Sequence, residues 1–139
     1  MEGIVMTGKL ILIVEDNEKN MKLLRDLLQF HGYQTIEAMT AEEGLRLARM
    51  KLPNLVLMDI QLPGMDGITA FMHLRRDPLT QHIPVIAVTA SARTEDRRKI
   101  SEAGFDGYLA KPIKVKEFPQ QVRRVLDGKA SPPRNRDTV

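Results

Sequence analysis

Short apolar stretches alternate along the chain with stretches in which apolar residues recur every three or four positions. The short stretches, bounded by polar or turn residues, are typical of strands and lie at 10–14, 33–38, 55–58, 84–88 and 107–110. The other stretches are typical of amphipathic helices, one after each strand, ending near His31, Met50, Arg75, Ala103 and Leu126. The pattern predicts five strands and five helices in alternation.

Three of the predicted helices have distinctive sequences. Thr40-Ala-Glu-Glu43 has the spacing of a capping box, which predicts that the second helix begins there. The last helix is predicted to include Val115, because apolar residues from there to Leu126 form a single stripe. The fourth helix, at 94–103, is polar and offers few apolar residues for burial.

The alternation of strands and helices predicts an α/β domain with a parallel sheet, because every connection between strands is a helix. The expected architecture is a flavodoxin-like, doubly wound (βα)5 fold with a five-stranded parallel sheet in the order 2-1-3-4-5. We expect the domain to span 10–126, with an N-terminal extension at 1–9 and a flexible C-terminal tail at 127–139. The residues outside 10–126 are too few for an output domain.

Composition narrows the class of protein. A chain of 139 residues, 42% apolar and 28% charged, has the make-up of one globular domain, which excludes collagen-like and wholly disordered chains. The absence of cysteine excludes disulfides, a thiolate nucleophile and cysteine-ligated metals. No apolar run approaches the roughly 20 residues of a membrane span, and the N-terminus does not resemble a signal peptide. We therefore expect a cytoplasmic protein without a membrane partner.

The net charge of +3 conceals an uneven distribution of charge. Residues 1–69 carry 7 basic and 10 acidic side chains, whereas residues 70–139 carry 14 and 8. The basic half allows nucleic acid as a partner, but four Phe and two Tyr are too few for a base-stacking platform. Scattered Lys and Arg on a solvated surface are the simpler interpretation, so nucleic acid is not an expected partner.

Polar and charged residues stand at the carboxyl ends of four predicted strands. Glu15 and Asp16 follow the first strand, Asp59 follows the third, Thr89 ends the fourth and Lys111 follows the fifth. Each alone is compatible with a turn or cap residue, but this edge is where open parallel sheets bind ligands. With the first and third strands adjacent, the three carboxylates repel one another unless a cation joins them. Oxygen ligands favour Mg²⁺.

Asp59 is the best candidate for a nucleophile, because it lies on the central strand with the other polar groups around it. A carboxylate beside Mg²⁺ and a lysine is suited to attack on phosphorus, since cations neutralise the charge on the phosphoryl oxygens. The product is an acyl phosphate, which water can hydrolyse at the same site. These residues predict phosphoryl transfer to Asp59.

Four segments around these positions resemble the response-regulator receiver domains of two-component signalling. They are Val14–Asn17, Met58–Gly67, Ala87–Ala90 and Lys111–Ile113. Together, in this order and spacing, the segments are highly specific, and the resemblance covers 10–126. It implies that Asp59 accepts a phosphoryl group from a histidine of a partner kinase or phosphotransfer protein. It also implies a phospho-acceptor with self-phosphotransfer and self-dephosphorylation chemistry, not an enzyme.

The resemblance further implies how the metal and the phosphoryl group are held. Asp16, Asp59 and the backbone carbonyl of Gln61 match Mg²⁺ ligands. Glu15 stands where many relatives have Asp, and its extra methylene suggests contact through a metal-bound water. Lys111 matches a lysine that pairs with the phosphoryl group, and the peptide bond after it matches one that is cis in this family.

Thr89 and Tyr108 match the switch residues of the family. The resemblance implies that phosphorylation draws the threonine hydroxyl inward and that the aromatic ring turns into the vacated space. The face made by the fourth helix, fifth strand and fifth helix then changes and controls a protein partner. The polar helix at 94–103 suits this role, because few buried contacts restrain it. Gln61 and Ser91 match positions that affect the lifetime of the acyl phosphate.

A stand-alone receiver is the leading interpretation, and three others stay open. The chain could be a receiver module of a hybrid kinase or phosphorelay, since Pro132-Pro133 lies in a linker-like tail. A small phosphatase with an aspartyl nucleophile is less well supported, because such enzymes usually carry an acid where this chain has Gln61. A nucleic-acid adaptor acting through the basic half has the least support.

Overall fold

Five strands and five helices alternate along the chain in the computed structural model, which describes residues 7–91 and 93–128. The strands are β1 Leu10–Val14, β2 Gln34–Ala38, β3 Leu55–Asp59, β4 Val85–Thr89 and β5 Gly107–Ala110. The helices are α1 Glu18–Phe30, α2 Ala41–Lys51, α3 Gly67–Arg76, α4 Thr94–Ala103 and α5 Glu117–Leu126. All strand pairs are parallel and the sheet order is β2-β1-β3-β4-β5, which confirms the predicted fold.

Two hydrophobic cores cover the two faces of the sheet. Because side chains alternate across a strand, Ile11 and Ile13 pack on the face covered by α1 and α5, together with Phe118. Leu12 and Val14 point to the other face, which α2, α3 and α4 cover. β1, β3 and β4 are therefore buried on both sides, as their continuous apolar runs predict.

Side-chain caps begin three of the helices. Asn17, Thr40 and Asp66 each accept a hydrogen bond from the backbone N–H three residues later, at 2.9, 3.1 and 2.8 Å. The second helix thus begins at Ala41 with Thr40 as its cap, as the sequence predicts. The Glu43 carboxylate pairs with Arg46 at 3.0 Å.

The prediction that the last helix includes Val115 is wrong. The helix begins at Glu117, and Val115 lies before it with 55% of its surface exposed. Pro119 supplies the reason, since a proline ring inside a helix collides with the carbonyl four residues earlier, which here belongs to Val115. With the start at Glu117, Pro119 falls in the first turn, where its missing N–H is not needed.

A network around Arg75 joins α3, β4 and β5 at the amino-terminal edge of the sheet. The Arg75 guanidinium donates to the Ile83 carbonyl at 2.8 Å and to the Asp106 carboxylate at 2.9 Å. The same carboxylate accepts from the Val85 backbone N–H at 2.8 Å. The start of β4 and the residue before β5 are thereby fixed to the end of α3.

The predicted terminal segments fall mostly outside the structure. Residues 1–6 of the predicted extension and 129–139 of the predicted tail lie outside the described residues, so the domain boundaries stay predictions. Within 7–91 and 93–128, no helix is long and apolar enough to cross a membrane.

Candidate functional site

Three carboxylates meet at the carboxyl-terminal edge of the sheet. β1 and β3 are neighbours, with Val14 opposite Met58, so Glu15 after β1 lies beside Asp59 at the end of β3. Glu15, Asp16 and Asp59 each present an oxygen within 4.8 Å of those of the other two. Glu15 and Asp59 are almost fully buried, whereas Asp16 is exposed. The strand order thus brings together the three acids that the sequence analysis selected.

Lys111 completes the cluster from the far side of the sheet. It directly follows β5 and is joined to Pro112 by a cis peptide bond, and its Nζ lies 3.0 Å from Asp59 Oδ2 and 3.2 Å from Glu15 Oε1. Burial disfavours the charged form of Lys111, but the hydrogen bond and charge of Asp59, with a contribution from Glu15, outweigh it. The pKa of Lys111 is therefore held above its ordinary value, and the lysine stays charged.

The charged form of Glu15 is disfavoured in this cluster. Burial and the charge of Asp59 raise the pKa of its carboxyl, against the opposing effects of the Asn17 backbone N–H and of Lys111. Glu15 Oε2 accepts from that N–H at 3.1 Å, whereas the buried Oε1 has no hydrogen bond of good geometry within the described residues and is held only by the charge of Lys111 Nζ, 3.2 Å away. A buried carboxylate oxygen that forms no hydrogen bond, in a group of three acids facing one lysine, fits a cation-binding site for Mg²⁺.

Replacing Glu15 with glutamine is expected to stabilise the metal-free protein. The amide keeps the shape of the side chain and removes a charge that burial and Asp59 disfavour. We expect the free energy of unfolding at neutral pH to rise by about 1 kcal/mol in urea melts with a chelator. Because the folded-state pKa is raised above the ordinary value of 4.5, the difference from wild type shrinks as the pH falls below the raised value and is gone once the pH is below 4.5.

Magnesium provides the second half of this test. Added Mg²⁺ should raise the melting temperature of the wild type more than that of Glu15→Gln, because the variant offers the cation less negative charge. Glu102→Gln, an exposed acid on α4, is the matched control and should leave both quantities unchanged. A metal-free Glu15→Gln protein less stable than wild type would contradict the expected repulsion.

Gln61 links Asp59 to the end of β4. Its backbone N–H donates to Asp59 Oδ1 at 2.9 Å, and its side-chain amide donates to Thr89 Oγ1 at 3.2 Å. The Ala90 N–H donates to Gln61 Oε1 at 3.1 Å, which orients the amide, because a backbone N–H can only donate. The sequence analysis selected Gln61 for its backbone carbonyl and as a position that affects the lifetime of the acyl phosphate, but it missed this bridge. The available signal was a side chain able to donate and accept, two residues after a strand end.

Thr89 is buried at the end of β4 with its hydroxyl oxygen fully used as an acceptor. Besides the Gln61 amide, the Ser91 N–H donates to Thr89 Oγ1, at 3.1 Å. Two donors occupy both lone pairs, so the hydroxyl proton is left to donate. The geometry presents Thr89 as a hydrogen-bond donor.

Tyr108 lies away from the carboxylates, on β5, and is partly buried. Its hydroxyl accepts a 2.9 Å hydrogen bond from Nε of Arg97 on α4. The same guanidinium carbon lies 5.5 Å from the centre of the Tyr108 ring. Arg97 had no role in the sequence analysis, because nothing in its polar helix distinguished it from Arg98.

Gly67 brings α3 directly against the acid cluster. It is buried as the first residue of α3, and its N–H donates to the Ile60 carbonyl at 3.1 Å. A Cβ at this position would collide with the Asp59 carbonyl oxygen and lie 2.8 Å from Ile60 Cα. Only a glycine therefore fits at this position against β3.

Comparison with known proteins agrees with the fold. The family model for the response regulator receiver domain matches residues 11–123, and the chain belongs to this family. Among curated proteins, it is 47% identical to the polar-differentiation response regulator DivK of Brucella ovis over 118 residues. That match covers 85% of this chain and 96% of the relative, and DivK of Brucella abortus matches equally well.

Solved structures show the same architecture. A putative response regulator from Chloroflexus aurantiacus superposes with a TM-score of 0.83 at 32% identity, covering 87% of this chain and 99% of its own. The receiver domain of a sensor histidine kinase from Pseudomonas aeruginosa PAO1 has a TM-score of 0.81, 33% identity and the same coverage. That structure has a magnesium ion coordinated in its active-site cleft.

Proposed function

We propose that this protein is a single-domain response regulator, in which Asp59 accepts a phosphoryl group from a phosphohistidine of a kinase or phosphotransfer protein. The observation that carries the proposal is the buried Asp59 carboxylate with Lys111 Nζ at 3.0 Å and two further acids beside it. The family, the relatives and the magnesium ion in the Pseudomonas structure support it.

Mg²⁺ would be held by Asp16, Asp59 and the backbone carbonyl of Gln61, with Glu15 reaching it through a water. When bound, the ion supplies positive charge against the phosphoryl oxygens. The buried Glu15 oxygen that forms only an ion pair with Lys111, without a hydrogen bond, supports this assignment. The set consists of oxygen donors, the type that Mg²⁺ prefers.

The side chains of the protein perform the transfer in one displacement. A carboxylate oxygen of Asp59 attacks phosphorus, an O–P bond forms, the P–N bond to the donor histidine breaks, and the imidazole leaves with the bonding pair. The ammonium of Lys111 neutralises charge on the phosphoryl oxygens. The hydroxyl of Thr89 then donates a hydrogen bond to one of the phosphoryl oxygens. Hydrolysis of the acyl phosphate resets the protein, so the chemistry is self-phosphotransfer and self-dephosphorylation and not turnover of a free substrate.

We further propose that Thr89 and Tyr108 form the switch and that the α4–β5–α5 face contacts the downstream protein. A change at Asp59 can reach the Thr89 hydroxyl because Gln61 is hydrogen-bonded to both residues. Tyr108 can report on α4 because Arg97 holds its hydroxyl. The protein would act in the cytoplasm, without a membrane or nucleic-acid partner.

A receiver module of a hybrid kinase is the second candidate, because the chain also resembles the receiver domain of a Pseudomonas sensor kinase. The DivK relatives favour the stand-alone role, since the match covers 96% of their length. Phosphotransfer profiling against all the histidine kinases and phosphotransfer proteins of the source organism would separate the two. Selective phosphorylation by a free kinase or a free phosphotransfer protein supports a stand-alone regulator, whereas phosphorylation only by a kinase encoded in the same reading frame supports a receiver module.

Phosphoryl acceptance is tested directly with a small donor. Incubation with Mg²⁺ and acetyl phosphate, followed by intact mass measurement, should show the gain of one phosphoryl group. Hydroxylamine should remove that group, because it cleaves acyl phosphates and leaves serine and threonine phosphates intact. No gain in mass, or a gain that resists hydroxylamine, would contradict the proposed function.

A further inference from the structure

The contact between Arg97 and Tyr108 joins two elements that the proposed switch must move. Arg97 lies in the first half of α4, and Tyr108 is the second residue of β5. The guanidinium makes both a 2.9 Å hydrogen bond to the hydroxyl and a cation–π contact with the ring at 5.5 Å. Within residues 7–91 and 93–128, no other side-chain hydrogen bond joins α4 to β5.

Helix α4 has few other restraints. Ile100 is its one buried residue, and Arg93, before its first turn, makes no side-chain cap. Ser91 contacts Asp96 near the start of the helix. Since little apolar surface holds α4 against the sheet, a single polar contact to β5 contributes a large share of what fixes its position.

We propose that Arg97 is a positioning residue, which holds the Tyr108 ring and α4 together in the unphosphorylated protein and must release the ring for the switch. The hydroxyl oxygen is the atom of the Tyr108 side chain that lies farthest from the backbone. A change of side-chain rotamer therefore moves it by several ångströms and breaks the 2.9 Å contact. This inference rests on the proposed function, because it assumes that Tyr108 turns when Asp59 is phosphorylated.

A contact present in one state alone biases the equilibrium against the other state. Loss of the Arg97 contact should therefore favour the phosphorylated conformation before any phosphoryl group is added. The combined size of one hydrogen bond and one exposed cation–π contact corresponds to a shift of about fivefold or more in that equilibrium.

The test is a titration of the full chain with beryllofluoride, a phosphoryl mimic, in the presence of Mg²⁺. The amide signals of Leu109 and Ala110 in ¹H–¹⁵N spectra report on β5. Arg97→Met should lower the half-saturating beryllofluoride concentration about fivefold or more. Tyr108→Phe, which loses the acceptor and keeps the ring, should lower it less. The double variant should match Arg97→Met alone, because both changes remove the same contact.

Arg98→Met is the matched control, because Arg98 is the adjacent exposed arginine on the same helix and has the same charge. It should leave the half-saturation unchanged, and Arg97→Lys should restore part of the wild-type value. If Arg97→Met lowers only the melting temperature and leaves the half-saturation as in Arg98→Met, or raises the half-saturation, the positioning role is wrong. If the wild type itself shows no response to beryllofluoride, the proposed function fails.

Discussion

Asparagine in place of Asp59 is expected to reduce phosphoryl acceptance from acetyl phosphate to below detection. The amide oxygen is a much weaker nucleophile than a carboxylate, and no stable acyl phosphate can form on it. The fold should persist, because the amide can still accept the Gln61 N–H hydrogen bond that Asp59 Oδ1 accepts at 2.9 Å. Removing one charge from three crowded acids also relieves repulsion. Intact mass after incubation with Mg²⁺ measures the loss, and a thermal melt confirms folding.

Asp66→Asn is the control for the charge change. Asp66 caps α3 near the same edge of the sheet, and asparagine caps helices equally well, so this variant should accept the phosphoryl group like the wild type. Retention of the mass gain in Asp59→Asn would move the acceptor to another residue, for which the exposed Asp16 is the first candidate.

Alanine in place of Gly67 is expected to cost about 3 kcal/mol of folding free energy, the upper end for overpacking. The added Cβ would meet the backbone of Asp59 and Ile60, and backbone atoms cannot turn aside as a side chain can. Either α3 or the end of β3 must shift, and a shift of β3 moves the Asp59 carboxylate away from Lys111. Urea unfolding should show the loss of stability, and acetyl phosphate labelling should show a parallel loss of phosphorylation.

Gly44→Ala provides a matched comparison. Gly44 is also a buried helical glycine, and its added Cβ would lie 2.8 Å from Val14 Cγ2, which is a side-chain atom. A small rotation of Val14 and the better helix propensity of alanine should keep the net change well below that of Gly67→Ala. Equal losses in the two variants would show that the backbone contact at Gly67 is not the cause.

The fold and the main members of the site could be predicted because both depend on backbone periodicity. Continuous apolar runs define buried strands, and alternation with helices requires a parallel sheet. Residues directly after such strands then have their positions fixed by the sheet order. Glu15, Asp16 and Asp59 therefore meet wherever β1 and β3 are adjacent, whatever the loops between them do.

The contacts that the sequence did not predict depend on loop paths and side-chain rotamers. The Gln61 amide reaches Thr89 only because the loop after β3 turns towards β4. Arg97 reaches Tyr108 only because of how α4 is rotated against the sheet. Arg98 is the next residue and therefore lies about 100° further around the helix axis. Neither the path of this loop nor the rotation of α4 produces a repeating pattern of apolar residues in the sequence. The start of the last helix was predictable in principle, because Pro119 excludes Val115 from the helix.

The Arg75 network anchors the amino-terminal end of β5. Asp106, directly before the strand, is tied to Arg75 and to the first N–H of β4, whereas Lys111, directly after it, has its ammonium in the acid cluster. β5 pairs with β4 along all four of its residues, so its carboxyl-terminal end, next to Lys111, is the end that a change in the acid cluster reaches first. We therefore expect phosphorylation to leave amide hydrogen exchange at Val85 unchanged while altering it at Ala110. The change in β5 that a bound partner contacts would then be confined to the carboxyl-terminal end of the strand.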